Sequence, residues 1–208
     1  MAEYTFFTNP MSRGQIARWA LHEAGAEYDK VLVDWDNKPA ELLQANRMGK
    51  VPTIVHHAVG GDRVISEGAA ICAYLADAHP LHELAPRDSE RADYYRWMFF
   101  GAGPLEQAVI TKAMGWTVPG DRQGMVGFGS FDRTIDTLEA HLDGRQWVCG
   151  ERFTVADVYV GSQVDWGLTF GTIPPRPAFA AYAERLQARE AYKEAKAIDH
   201  GLIQESKQ

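Results

Sequence analysis

Three short stretches carry residue types that could hold an anionic or peptide-like ligand: Thr8-Asn9-Pro10-Met11-Ser12-Arg13, Gly49-Lys50-Val51-Pro52-Thr53-Ile54 and Ile65-Ser66-Glu67-Gly68-Ala69-Ala70-Ile71. Ser12 precedes a helical pattern, so its hydroxyl and the positive end of the helix dipole could together stabilise a negative charge. The same hydroxyl is equally suited to capping its own helix. Asn9 offers an amide donor just upstream, and Arg13 adds either positive potential or a surface ion pair. A cis Val51-Pro52 bond would turn the N–H and C=O of Val51 outward at a strand edge, where an extended peptide could pair with them. A proline that merely starts a strand is the alternative. At Glu67-Gly68 a strand runs into a helix, so free N–H groups can hold a carboxylate while the Glu67 side chain faces an ammonium group. An acidic residue is also ordinary in a first helical turn.

Periodicity supplies the elements that must position these residues. Residues 4–8 read as a strand that ends at Asn9-Pro10. Ile16, Trp19, Ala20 and Ala24 then recur at helical spacing until Gly25, a suitable C′ residue. Residues 28–33 read as a second strand, and a connection of that length implies a right-handed crossover and a parallel pair. A short helix over 39–45 leads to strands at 52–55 and 63–66, joined by a hairpin turn at Gly60-Gly61-Asp62. The Ala-rich stretch 67–78, with Ile71, Tyr74 and Leu75 on one stripe, predicts a helix that stops before His79-Pro80. The order β-α-β-α-β-β-α predicts a small mixed sheet covered by helices, close to the arrangement of thioredoxin.

From Ser89 onward the pattern is helical. A long helix runs through Tyr95, Trp97, Met98 and Phe99 toward Gly101-Ala102-Gly103-Pro104, where it should bend or break. A second covers 131–142 and ends at Asp143-Gly144. Thr154-Val155-Ala156-Asp157 is a capping-box pattern with Asp in place of the usual Glu, and it opens a buried helix through Val160 and Val164. After the rigid Pro174-Pro175-Arg176-Pro177 connector, 178–189 is a helix with Phe179, Tyr182 and Leu186 on one stripe. The division expected is therefore an α/β domain over 1–80, a linker over 81–88 containing Pro86, and an all-α domain over 89–208. Disorder is expected only in the last residues, 204–208.

Composition narrows the class. Hydrophobic residues make up 46% and charged residues 24%, the balance of a globular protein able to bury a core. Lys and Arg total 21 against 28 for Asp and Glu, and no basic run is present to neutralise phosphates, so nucleic acid is excluded as a partner. No stretch approaches the ~20 apolar residues that span a bilayer. Met1-Ala2-Glu3-Tyr4 lacks the basic start of a signal peptide, which leaves the cytoplasm as the expected compartment and no membrane partner. Cys72 and Cys149 lie in apolar surroundings without metal-ligand or C-x-x-C spacing, so both read as buried free thiols and no metal site is expected.

In their order and spacing the motifs resemble the cytosolic glutathione transferases over nearly the whole chain. The likeness is carried by Asn9-Pro10-Met11-Ser12 entering a helix with Arg18-Trp19-Ala20-Leu21 and Glu23, and by Gly49-Lys50-Val51-Pro52-Thr53-Ile54. It continues in Glu67-Gly68-x-Ala70-Ile71-x-x-Tyr74-Leu75 and in Phe153-Thr154-x-x-Asp157. The resemblance implies a thioredoxin-like N-terminal domain, an all-α C-terminal domain and an enzyme that activates the thiol of reduced glutathione for attack on a small apolar electrophile. Glutathione is then a co-substrate, and no cofactor is permanently bound. Phe7 stands near the place where tyrosine-using members carry their phenol and has no donor, so the match favours Ser12 as activator, with Asn9 as the alternative. The spacing from Ser12 to Glu23 departs from the serine form. Lys50, Val51, Pro52, Glu67, Gly68 and Arg13 are implied around glutathione, with Gly68 where the family commonly has Ser. Phe100, Gln107 and Trp116 are candidates to line a second-substrate pocket between the domains. A homodimer is implied, with the 67–78 helix and the start of the helix after Ser89 at its interface. The competing readings are a glutathione-binding regulatory or ligand-carrying protein, and a glutathione-dependent peroxidase, isomerase or reductive dehalogenase. The absence of a Ser-Ser-Cys entrance and of Cys at position 12 counts against the isomerase and against thiol-disulfide chemistry.

Overall fold

Alternation along Tyr4–Thr8 (β1) sends successive side chains to opposite faces of a sheet. Phe7 packs with Val33 and Leu42 on one face, while Phe6 lies under the Arg18 guanidinium on the other. The computed structural model describes residues 2–206. After β1 come Gly14–Glu23 (α1), Tyr28–Leu32 (β2), Ala40–Ala45 (α2), Thr53–Ala58 (β3), Gly61–Ser66 (β4) and Gly68–Ala78 (α3). The sheet order is β2-β1-β3-β4, with β1 and β2 parallel and the other pairs antiparallel. This is the thioredoxin-like arrangement that the element order predicts. β3 and β4 extend beyond the expected spans, to a two-residue loop at Val59-Gly60. The apolar pattern stops at Val55, but His56 still pairs with Tyr4 and stacks on its ring at 4.5 Å. α1 closes as expected at Gly25, whose φ of 60° suits a residue without Cβ, and Ala26 N–H reaches back to Leu21 O at 3.0 Å.

The chain divides into two compact units that do not follow its order: Met1–Ala85 with Ala188–Gln208, and Pro86–Gln187. Glu190–Glu205 (α9 in chain order, after the helices given below) belongs to the first unit, although the division at 81–88 assigns it to the helical half. The reason is charge burial. Arg18 is wholly buried and Glu23 nearly so, and a buried charge must be paired. Arg18 Nε donates to Asp199 Oδ1 at 3.0 Å, and Arg189 grips Glu23 with two bonds of 2.6 Å. Burial raises the Asp199 carboxyl above its ordinary value, against the pull of Arg18. Trp19 completes the contact, edge-on to Tyr192 and donating to Glu23 at 2.8 Å. Gln204 and Glu205 are helical, not disordered as expected, whereas Lys207 and Gln208 lie outside the described residues.

In the second unit Arg91–Phe100 (α4) and Glu106–Ala113 (α5) are joined through a π-helical turn at Gly101–Leu105, the interruption expected where Pro104 supplies no N–H. Phe131–Leu142 (α6), Val155–Thr169 (α7) and Pro177–Gln187 (α8) follow. The segment read as a linker is structured at both ends, by 3-10 turns at Pro80–His82 and Asp88–Glu90. Thr154 and Asp157 form the predicted capping box of α7. Cys72 and Cys149 are buried free thiols. Burial holds the Cys72 thiol far above its ordinary value and pushes Cys149 up to about 12. Among the described residues no helix is long and apolar enough to cross a membrane.

Candidate functional site

Strand register gathers the three motifs. Phe7 pairs with Thr53, and Thr53 pairs with Ser66, so the end of β1, the start of β3 and the end of β4 lie side by side. The 9–12 turn, the 49–52 loop and the Glu67-Gly68 junction therefore meet at one end of the sheet.

The 46–53 loop is shaped by Asn46, whose amide donates to Thr53 Oγ1 at 3.1 Å and Lys50 O at 3.3 Å while its Oδ1 accepts from Met48 N–H at 3.1 Å. Gly49 takes a φ of 58°, and the place its side chain would occupy is filled by Leu43 and Lys38. The Val51-Pro52 bond is cis. The N–H and C=O of Val51 make no backbone hydrogen bond among the described residues and stand available at the strand edge. Lys50 is exposed beside them.

Glu67 has a φ of 69°, a conformation that disfavours any side chain and costs roughly 1–3 kcal/mol. Its carboxylate is exposed and has no protein partner among the described residues. The N–H groups of Gly68, Ala69 and Ala70 open α3 without intrahelical acceptors. A strained, unpaired carboxylate thus stands beside a set of free backbone donors.

In the 9–12 turn Ser12 Oγ donates to Asn9 O at 2.6 Å and accepts from Gly14 N–H at 2.9 Å. The N-cap of α1 is Arg13, without a side-chain capping bond, so Ser12 stands one residue ahead of the expected cap and serves only the first helical N–H, that of Gly14. Asn9 Nδ2 donates to Val33 O at 2.9 Å, and Asn9 Oδ1 accepts from Met11 N–H at 2.9 Å. Gln15 braces the turn by donating to Pro10 O at 2.6 Å, and it is held in turn by Lys196 of α9 at 2.8 Å. Arg13 is exposed at the start of α1. Phe7 is buried in the core.

In the second unit Gln107 and Trp116 line one cleft of about 570 Å³, with Thr111, Pro119, Met125 and Phe128. Phe100 does not line it and packs edge-on against Trp97 at 4.8 Å. Among the described residues no cluster of His, Cys, Asp or Glu could hold a metal ion.

Two family models cover most of the chain: Glutathione S-transferase, N-terminal domain, over residues 11–78, and Glutathione S-transferase, C-terminal domain, over residues 90–193. The chain belongs to the glutathione S-transferase family. It is 26% identical to Glutathione S-transferase GstA of Escherichia coli O157:H7, over 91% of this chain and 95% of that protein. It is 28% identical to the Disulfide-bond oxidoreductase YfcG of Escherichia coli K12, over 88% and 89%. A sphingomonad glutathione S-transferase complexed with glutathione is 26% identical and superposes with a TM-score of 0.75, over 94% of this chain and 98% of that one.

In this glutathione S-transferase-family chain the sequence does not single out Asn46 or Lys38, and it marks Thr8 only as the first residue of the 8–13 stretch. Asn46 carries a signal in hindsight, an Asn that opens a turn three residues before a glycine. Lys38 is an isolated lysine with none, because its position against Gly49 depends on how α2 folds back. Thr8 looks like an ordinary strand residue.

Proposed function

We propose that the chain activates the thiol of reduced glutathione for attack on a small apolar electrophile, with Ser12 as hydrogen-bond donor to the thiolate. The observation that supports this reading is the pairing of Phe7 with Thr53 and of Thr53 with Ser66, which brings three stretches of unlike chemistry to one sheet end. The unpaired N–H and C=O of Val51, beside Pro52, suit the backbone of the cysteinyl residue, as in strand addition. Glu67 suits the ammonium of the γ-glutamyl end, and the free N–H groups from Gly68 onward suit its carboxylate. Lys50 and Lys38 flank Gly49 and suit the glycyl carboxylate, while Arg13 adds positive potential. The sulfur then falls at the 9–12 turn. There the thiol proton leaves to solvent, the Ser12 hydroxyl turns from Asn9 O to the sulfur, and a sulfur lone pair forms the bond to carbon as the leaving group departs with its electron pair. The apolar electrophile suits the family; Gln107 and Trp116 are the residues to examine for it, with Phe100 less favoured. The working unit is proposed as a homodimer through α3 and the start of α4.

Glu67→Gln removes the charge that faces the ammonium group. Calorimetric titration should show roughly tenfold weaker glutathione binding, the loss of about one charge-assisted hydrogen bond, with unchanged melting temperature. Unaltered affinity would remove Glu67 from the site.

Asn9 supports a second reading of the activator, since one N–H of its amide is engaged on Val33 O and the other has no acceptor among the described residues. The likeness to a disulfide-bond oxidoreductase supports a second reading of the reaction, in which the thiolate attacks sulfur instead of carbon. Turnover of a chlorinated arene against turnover of a glutathione-reducible disulfide separates the two. Retention on immobilised glutathione with neither turnover would favour a binding protein.

A further inference from the structure

The hydroxyl of Ser12 is engaged within the protein itself. Its proton is held by Asn9 O at 2.6 Å, so turning it toward sulfur strips that carbonyl of its donor. Thr8 lies directly behind. Its side chain is fully buried, and among the described residues its Oγ1 has no hydrogen-bond partner. The bare Cα of Gly14 marks where the oxygens converge: a side chain there would meet Thr8 Oγ1 at 2.1 Å, Ser12 Oγ at 3.0 Å and Asn9 O at 3.2 Å. A buried hydroxyl without a partner destabilises a fold, and valine would fill the same space without that penalty.

We propose that Thr8 is a positioning residue for the glutathione reaction, whose spare hydroxyl takes over Asn9 O, or donates to Ser12 Oγ, when Ser12 turns its proton to the thiolate. The inference rests on Ser12 being the donor to sulfur. Two arrangements of one proton network result. At rest Ser12 serves Asn9 O and Thr8 has no partner among the described residues; with thiolate bound, Ser12 serves sulfur and Thr8 replaces it. No proton leaves the network, since the thiol proton goes to solvent. Gly14 is required because a methyl group would displace the Thr8 hydroxyl, and the strand alternation that sends Phe7 into the opposite core sends Thr8 under α1.

The test is the pH profile of kcat/KM, together with the titration of enzyme-bound glutathione, in Thr8→Val, Thr8→Ser and Ser12→Ala. Thr8→Val should melt no lower than the parent and bind glutathione with unchanged affinity. Its bound thiol should titrate about one pH unit higher, an approximately tenfold loss of kcat/KM on the acid side of the profile. Thr8→Ser keeps the hydroxyl and should restore the parent profile. If Thr8→Val does not fold, Thr8→Ala, which leaves the space open, carries the same expectation. An unshifted profile in Thr8→Val, or equal impairment in Thr8→Ser, overturns the role of Thr8. If Ser12→Ala also leaves the thiol unshifted, the failure lies in the reading of Ser12; if it shifts the thiol and Thr8→Val does not, only the present inference fails.

Discussion

Asp157→Ala is expected to lower the stability of the helical unit by about 3–5 kcal/mol, enough to leave much of it unfolded at physiological temperature. The carboxylate is fully buried and accepts from four donors: Val148 N–H at 2.7 Å, Tyr182 hydroxyl at 2.8 Å, Thr154 N–H at 2.9 Å and Thr154 hydroxyl at 3.3 Å. Burial pushes its pKa up to about 6, while the bonds to Val148, Thr154 and Tyr182 pull it back. Truncation strands all four donors in the core, and each stranded donor costs on the order of 1–3 kcal/mol before relaxation. Asn at this position recovers little, because its NH₂ would face donors. Denaturant unfolding read by tryptophan fluorescence is a suitable measure, since Trp97, Trp116, Trp147 and Trp166 lie in this unit. A loss below about 1 kcal/mol would mean that the network is redundant.

Ser12→Ala carries the largest expected catalytic effect, a fall in kcat/KM of about ten- to a hundredfold, equivalent to one charge-assisted hydrogen bond of roughly 1.5–3 kcal/mol. The thiol chemistry sets that scale. Lowering a thiol pKa from ~8.5 to ~6.5 raises the thiolate fraction at pH 7 from about 3% to about 75%. Removing the donor reverses most of that gain. Glutathione affinity should change little, because the peptide contacts at Val51, Glu67 and Gly68 remain. Ser12→Ala also strips Gly14 N–H of its acceptor, so a stability loss near 1 kcal/mol should accompany it. Steady-state conjugation of a chlorinated arene, compared with Asn9→Ala, makes the assignment: parent-like activity in Ser12→Ala with loss in Asn9→Ala would transfer the role to Asn9.

The sheet and the second unit's principal helices were legible because their signals are local. Alternation in 4–8, the stop at Gly25, the capping box at Thr154 and Asp157, and the break before Pro104 each depend on a few neighbouring residues. The Val51-Pro52 cis bond was legible only through resemblance, since sequence alone leaves the isomer open. What sequence concealed is long-range. α9 joins the first unit because Arg18 and Glu23 are buried, and nothing in their local pattern tells that their partners stand 181 and 166 residues away. β3 outran its apolar pattern because His56 finds the Tyr4 ring across the sheet. At the candidate site the residue types were legible, but the Ser12 bond to Asn9 O and a Thr8 hydroxyl without a partner among the described residues are three-dimensional facts.

Whether this chain holds glutathione as a thiolate at the 9–12 turn is read most directly by an ultraviolet titration of the thiolate in the complex of the full chain with reduced glutathione. The bound thiol should titrate at ~6.5, about two units below the free value of ~8.5, and return toward ~8.5 in Ser12→Ala. A bound thiol that titrates at ~8.5 in the parent protein would contradict thiolate binding at that turn.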